Sequence, residues 1–310
     1  MPTESLVRVD PRDFAARRDA IATLDARACE IDGHESLGDA VWRDLADPAA
    51  DSAGFFLDDC AYAHVARVDR ADTEHWSAAL VRLREARDAA STAALLYAAV
   101  AHAAEHGAHQ VTSWVFGADE GDEAVFTAAG FRPDRALYEM RVPLPLAATS
   151  PRPAGITLRS FEPGRDDAEW LRVNNRAFAG HPEQGGWTEA TLRGRMSEPW
   201  FDPSTFLLAI DVEGLAGSNW LKRHAPHGGD PAIGEIYVIG VDPRMQGTGL
   251  GRWLAVEGLG LMHERGAAVG MLFVAADNQG ALALYESLGF VVYRTDRAYV
   301  HDIPASSGRA

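Results

Sequence analysis

Residues Glu235 to Gly251 read EIYVIGVDPRMQGTGLG, and this stretch narrows the folds open to the chain more than any other. Ile236, Val238, Ile239 and Val241 form an apolar, β-branched run, broken inside by Gly240 and stopped by Pro243. β-Branched residues favour strands, and proline cannot donate to a ladder. Gly247, Gly249 and Gly251 then recur at alternate positions, and a helix is expected from Leu250. A strand feeding a glycine-spaced loop that opens a helix suits a phosphate group. Glycines let the backbone approach the anion, several N–H groups point at it, and the helix start adds favourable partial charge. The spacing is not G-x-G-x-x-G and no GK[ST] follows, so the dinucleotide and P-loop fingerprints are both unmet.

A second block lies downstream. Phe273-Val274-Ala275-Ala276-Asp277-Asn278 reads as a short apolar strand ending in a polar pair, followed by a helix over Gln279 to Ser287. Gly289 suits a left-handed helix stop, and Phe290 restarts an apolar strand, Val291 to Tyr293. Gln246-Gly247-Thr248-Gly249-Leu250-Gly251 resembles the Q/RxxGxG/A pyrophosphate loop of the GNAT N-acetyltransferase superfamily. Asn278, Ala281, Tyr285, Gly289 and Phe290 match the N-x-x-A-x-x-x-Y-x-x-x-G-F run with which that superfamily ends its acetyl-CoA site. The two blocks also stand in the family's order and separation. The resemblance implies an α/β fold with a mixed sheet and acetyl-CoA as acetyl donor. Ile239, Gly240, Val241, Gln246 to Gly251, Arg252, Asn278 and Ala281 would then surround the donor.

At 310 residues the chain is long enough for two domains with separate cores. A formal net charge of -16 argues against nucleic acid and anionic membrane as partners, whereas backbone N–H groups attract coenzyme A locally. Cys29 and Cys60 are the whole cysteine complement, with neither redox nor metal spacing, which fits a reducing compartment and no bound metal. The start, MPTESLVRVDPRDF, has no apolar signal core. The longest apolar tract, Ala89 to Ala104, is too short to span a bilayer. A cytoplasmic protein is expected, with a monomer favoured over an oligomer.

Pro143, Pro145, Pro151 and Pro153 mark a linker. The expected division is a first domain over 1–145, a linker over 146–155 and a second domain over 156–310. Moving the second half back by 159 positions lays Glu264-Arg265-Gly266 on Glu105-His106-Gly107 and Gly289-Phe290 on Gly130-Phe131, so the domain is duplicated. The same shift sets Glu235 on Trp76, and Gln246, Gly247, Gly249 and Gly251 on Arg87, Asp88, Ala90 and Thr92. A carboxylate at 88 repels a pyrophosphate, and side chains at 90 and 92 block its approach. The first domain therefore reads as a degenerate GNAT-like copy that neither catalyses nor holds the donor.

Gly240 inside its strand suggests a bulge that splays the neighbouring strand away. The superfamily resemblance implies that the pantetheine arm enters that gap, with the Val241 N–H on the thioester oxygen. Glu235, opening the strand, is the expected general base, and Tyr285 the acid that protonates the departing thiolate. The plainer readings are a strand carboxylate in an ion pair and a core tyrosine.

Asn174 to Thr188, reading NNRAFAGHPEQGGWT, resembles a segment of the mycothiol synthase family of tandem acetyltransferases. Trp200-Phe201-Asp202-Pro203, Trp220-x-Lys222 and Glu235-Ile236-Tyr237-Val238 follow that family too. The resemblance implies acetylation of the cysteinyl amine of a cysteinyl-glucosaminyl-inositol, with Glu183, Lys222 and Glu235 as substrate contacts. His181 in this segment reads as a loop or capping residue rather than a catalytic one. Phe273-Val274-Ala275 departs from the family's Tyr-Val-Glu, and Asp39, with Glu35 nearby, stands where the family's first domain offers a substrate carboxylate. A related acetyltransferase acting on another small amine, aminoglycoside-like or an amino acid metabolite, is the alternative. A catalytically silent acetyl-CoA-binding regulator is the third reading.

Overall fold

Each half of the chain builds the same run of elements. The computed structural model describes residues 6–34, 36–68, 75–180, 184–227 and 229–304. The first half forms β1 (Leu6–Val9), α1 (Phe14–Asp32), α2 (Asp39–Asp44), β2 (Ser52–Leu57), β3 (Ala61–Val68), β4 (His75–Arg82), α3 (Ala89–Glu105), β5 (Gln110–Val115), α4 (Glu120–Ala128) and β6 (Arg132–Pro143). The second forms β7 (Thr157–Ser160), α5 (Asp167–Ala177), α6 (Glu189–Met196), β8 (Phe206–Asp211), β9 (Gly214–His224), β10 (Ile233–Val241), α7 (Leu250–Glu264), β11 (Val269–Ala275), α8 (Gln279–Ser287) and β12 (Val291–Asp302). From β5 onward the starts of β11, α8 and β12 follow those of β5, α4 and β6 by the 159 positions read from the sequence. The expected short strand from Val291 to Tyr293 runs on to Asp302 as one continuous strand, β12.

Two compact units result, Met1–Leu137 with Arg294–Ala310, and Tyr138–Tyr293. In the first, β1 to β4 pair antiparallel in sequence order, β5 joins β4 in parallel, and Arg297–Asp302 of β12 closes the sheet against β5. The second repeats the plan: β7 to β10 antiparallel, β11 parallel to β10, and β6 beside β11. The closing strands are therefore traded. β6 leaves its own half at Leu137, and β12 leaves its own at Tyr293. These cuts differ from the division at 145 and 156 read from the proline-rich stretch. Leu146 and Ala148, inside the expected linker, pack against the second unit's core.

In the second unit the sheet separates two apolar layers. On one face Ile236, Leu272, Met140 and Val142 pack with Ala255, Leu259 and Met262 of α7. Gly234 permits the close approach, since a Cβ there would stand 2.5 Å from Met262 Cβ. The other face carries an aromatic cluster under α5 and α6, in which Phe206 stacks on Trp220 at 4.5 Å and Trp170 meets both edge-on. Edge-on and offset pairs favour the ring quadrupoles beyond the area they bury.

The bulge lies elsewhere than expected. Gly240 pairs regularly with Ser218, and the register of β9 with β10 slips between Ile236 and Val238, at Tyr237. Both Tyr237 and Val238 join the aromatic face, as two residues opposing one must. Gly240 is glycine for another reason: a Cβ there would lie 3.2 Å from the Phe178 ring and 3.5 Å from Ala177 on α5. The extra residue also corrects the alignment of the halves. Trp76 pairs with Val111 in the first unit, and Gly234 with Gly270 in the second, so Glu235 corresponds to Ser77, not to Trp76.

Candidate active site

β10 and β11 pair only from Ile233 with Val269 to Ile236 with Leu272, and beyond that point they part. The Asp242 amide donates to Ala216 O of β9 at 2.9 Å. Antiparallel pairs alternate between bonded and non-bonded, so Gly240 opposite Ser218 is bonded to β9, while Ile239 and Val241 turn their N–H groups away from it. Those amides face the side from which β11 has withdrawn. The expected amide of Val241 thus points into a gap, although the bulge that precedes it is at Tyr237.

The strand runs into a loop that its own residues hold. Asp242, buried, accepts from the Arg244 amide and from the Arg176 guanidinium of α5. Thr248 Oγ1 donates to Met245 O, and Gln246 is the extended residue that follows the turn at Pro243–Met245. Gly247 and Gly249 have φ of +76° and +83°, conformations open to glycine, and a Cβ on either would meet nothing within 4 Å. Gly251 opens the first turn against Val241, whose Cγ2 would stand 3.4 Å from an added Cβ. The helix α7 then starts at Leu250 without a side-chain cap. Among the described residues the amides of Gly247, Gly249, Leu250, Gly251 and Arg252 have no acceptor. Arg252 reaches Ser287 of α8.

The matching helix start in the first unit is closed. Asp88 caps α3, accepting from the Ala90 and Ser91 amides and from Ser91 Oγ. These bonds hold its carboxyl below the usual range. Asp88→Ala is expected to lower stability by about 1 kcal/mol, read as a fall in the thermal midpoint.

Glu235 lies on the aromatic face, 7% exposed. Lys222 of β9 stands directly opposite it in the register, with its ammonium 5.0 Å from the Trp200 ring centre. His224 Nε2 is 2.6 Å from Glu235 Oε2. No motif in the sequence marks this histidine. The alternation of β9, which sets Lys222 and His224 on one face, is the only trace of it in the chain. Phe273, 42% exposed, shares that face two residues beyond Met271, the partner of Glu235 on β11.

Tyr285 packs in the core cluster that holds Ile236 and Leu272, where β10 and β11 stop pairing, and meets Phe290 edge-on. Its hydroxyl has no partner among the described residues. Burial pushes the phenol up to about 12 from its ordinary 10, so it stays protonated at neutral pH. The unfolded phenol ionises first, so the folded state loses up to roughly 2–3 kcal/mol as pH rises from about 10 to 12. Tyr285→Phe should remove that loss in alkaline unfolding titrations.

The Asn278 side chain caps α8 by accepting from the Ala281 amide at 3.1 Å, so both residues have a helix-capping role beside the one read from sequence. Asp39 stands exposed in the first turn of α2, in the first unit. Glu183, His181 and Glu35 lie outside the described residues. Further along, Asn175 bonds the Trp187 amide and carbonyl at 2.9 Å each, and Asn174 bonds Gln184 O. Among the described residues there is no cluster of His, Cys, Asp and Glu able to hold a metal, and no helix long and apolar enough to cross a membrane.

Residues 169–290 match the acetyltransferase (GNAT) family. Over 297 residues the chain is 39% identical to a mycothiol acetyltransferase of Thermobispora bispora, covering 94% of this chain and 99% of that one. The chain belongs to the mycothiol acetyltransferase family. A mycothiol acetyltransferase of Acidimicrobium ferrooxidans is 41% identical over 286 residues, 89% of this chain and 91% of its own. The fold is similar to that of a tandem GNAT protein from the clavulanic acid biosynthesis pathway, at a TM-score of 0.73 and 18% identity over 99% of this chain and 100% of that one. As a member of the mycothiol acetyltransferase family the chain is an N-acetyltransferase, and acetyltransferases of the GNAT family take their acetyl group from acetyl-CoA.

Proposed function

We propose that the chain transfers the acetyl group of acetyl-CoA to the cysteinyl amine of a cysteinyl-glucosaminyl-inositol, giving mycothiol. The observation that carries this reading is the parting of β10 from β11 above an uncapped helix start, with Glu235 at its rim. The amides of Gly247 to Arg252 suit the pyrophosphate, because oriented N–H groups and the helix start both favour an anion. The Val241 amide suits the thioester oxygen. A donor fixed before reaction is worth about 3 kcal/mol at a developing oxyanion.

Glu235 takes a proton from the acceptor ammonium, directly or through a water, and frees the nitrogen lone pair for attack on the thioester carbon. The new C–N bond forms, the C–S bond breaks, and Tyr285 gives its proton to the leaving sulfur. Tyr285 holds its proton at neutral pH, as any phenol does, and burial raises its ionisation point further. Tyr285→Phe should lower kcat about tenfold or more, with the Michaelis constant for acetyl-CoA little changed.

Gly249→Ala tests the phosphate loop. The left-handed conformation costs a non-glycine residue about 1–2 kcal/mol, and the loop relaxes away from it. The Michaelis constant for acetyl-CoA should rise at least tenfold, more than kcat falls.

Lys222 and Glu183 suit the hydroxyl-rich acceptor. Phe273 favours a second reading, in which the acceptor is another small amine: it places an apolar ring where the family carries a tyrosine hydroxyl. A site that hydrogen-bonds each hydroxyl of its substrate rejects analogues strongly, so the two readings separate in one assay. Acetylated product from cysteinyl-glucosaminyl-inositol, quantified by mass spectrometry beside aminoglycosides and amino acids, should exceed all others. A higher kcat/KM on any of these would replace the first reading with the second.

A further inference from the structure

Glu235 needs a fixed orientation to act as a base, and the side chain in contact with it is one to which no role has been given. His224 Nε2 lies 2.6 Å from Glu235 Oε2. A carboxylate only accepts, so the ring nitrogen carries the hydrogen and donates it, which settles the tautomer at Nε2. The register produces the contact: Lys222 is directly across from Glu235, and His224, two residues on, shares its face at the diagonal position. His224 is about one-third exposed, whereas the carboxylate it touches is buried. The ring thus stands at the edge of the site with its far nitrogen, Nδ1, without a partner among the described residues.

We propose that His224 is a positioning residue for the acetyl transfer, holding Oε2 of Glu235 so that Oε1 presents a lone pair to the acceptor amine. This rests on Glu235 being the base. An untethered carboxylate rotates about its last torsion and spends little time aligned. One tied oxygen fixes the plane, and alignment is where much of the rate of a positioned base arises. The proton lost by the nitrogen ends on Oε1, and His224 keeps its own Nε2 proton throughout. No charge passes through the ring. Lys222, on the same face, has its ammonium 5.0 Å from the centre of the Trp200 ring.

Two substitutions in the full-length protein decide the matter. His224→Leu removes the donor, and His224→Gln restores an N–H at nearly the same reach from the backbone. His224→Leu should lower kcat roughly 30-fold, part of the 10²–10⁴ that a positioned base contributes, and leave the acetyl-CoA Michaelis constant within about twofold. His224→Gln should recover most of that loss. A merely structural histidine would move stability and both Michaelis constants instead, and would not be rescued by glutamine. Wild-type kcat in His224→Leu, or His224→Gln no better than His224→Leu, overturns the proposal. An imidazole-detected nitrogen spectrum reports the contact without turnover. A hydrogen-bonded Nε2–H resonance of His224 should be present in the wild type and shift in Glu235→Gln; an unshifted resonance overturns the proposal. A wild-type protein inert on every amine would sink the acetyl-transfer reading, and the spectrum would still judge the contact.

Discussion

Glu235→Gln should lower kcat by about 10²–10³-fold while acetyl-CoA binds as it does to the wild type. Glutamine is nearly the same size, so the packing beside Met271 and across from Lys222 survives. What it loses is the ability to take a proton, and an ammonium without its proton removed is no nucleophile. Donor binding is independent of the change, because the amides that suit the pyrophosphate lie past the far end of β10 and in the first turn of α7. Steady-state kinetics with calorimetric titration of acetyl-CoA separates the two quantities. Near-wild-type turnover in this variant would mean that another group is the base. Reduced turnover with equally weakened donor binding would point to a collapsed site instead.

A fragment beginning at 156 should fail to fold, although residues 156–310 look like a whole domain in the sequence. It lacks the 138–143 segment of β6, from which Met140 and Val142 enter the core against Leu272, Leu259 and Phe290. Losing two buried side chains of that size costs about 2–5 kcal/mol each, and the edge of β11 is left open to aggregation. That sum rivals the roughly 5–15 kcal/mol that holds a domain together. The fragment also keeps 294–302, a strand whose partner is β5 of the other unit. A fragment over 138–293 should be soluble, with a cooperative thermal transition by circular dichroism. Cooperative unfolding of 156–310 would contradict the strand exchange.

Local chemistry made much of this legible. Gly289 behind a helical run suits a left-handed stop, and its φ is +92°. The carboxylate at 88 reads as repelling a pyrophosphate, and the structure adds that Asp88 caps its own helix. What stayed hidden depends on partners distant in sequence. His224 has no motif, and its bond to Glu235 exists only because β9 pairs with β10 in one register. Glycine inside a strand suggests a bulge at Gly240, but the slip is at Tyr237, and Phe178 explains the glycine. The matching of Glu235 with Trp76 fails through that same added residue. The closing strands are invisible as exchanges, because β6 and β12 read alike and a sequence does not say which sheet accepts them.

Asp88 has one more consequence. Two homologous helix starts lie along the chain, and an acid already satisfies the amides of the first. Saturation should therefore need a single equivalent of donor per polypeptide, and initial velocity should follow a simple hyperbola in its concentration, with no inflection from a second occupancy.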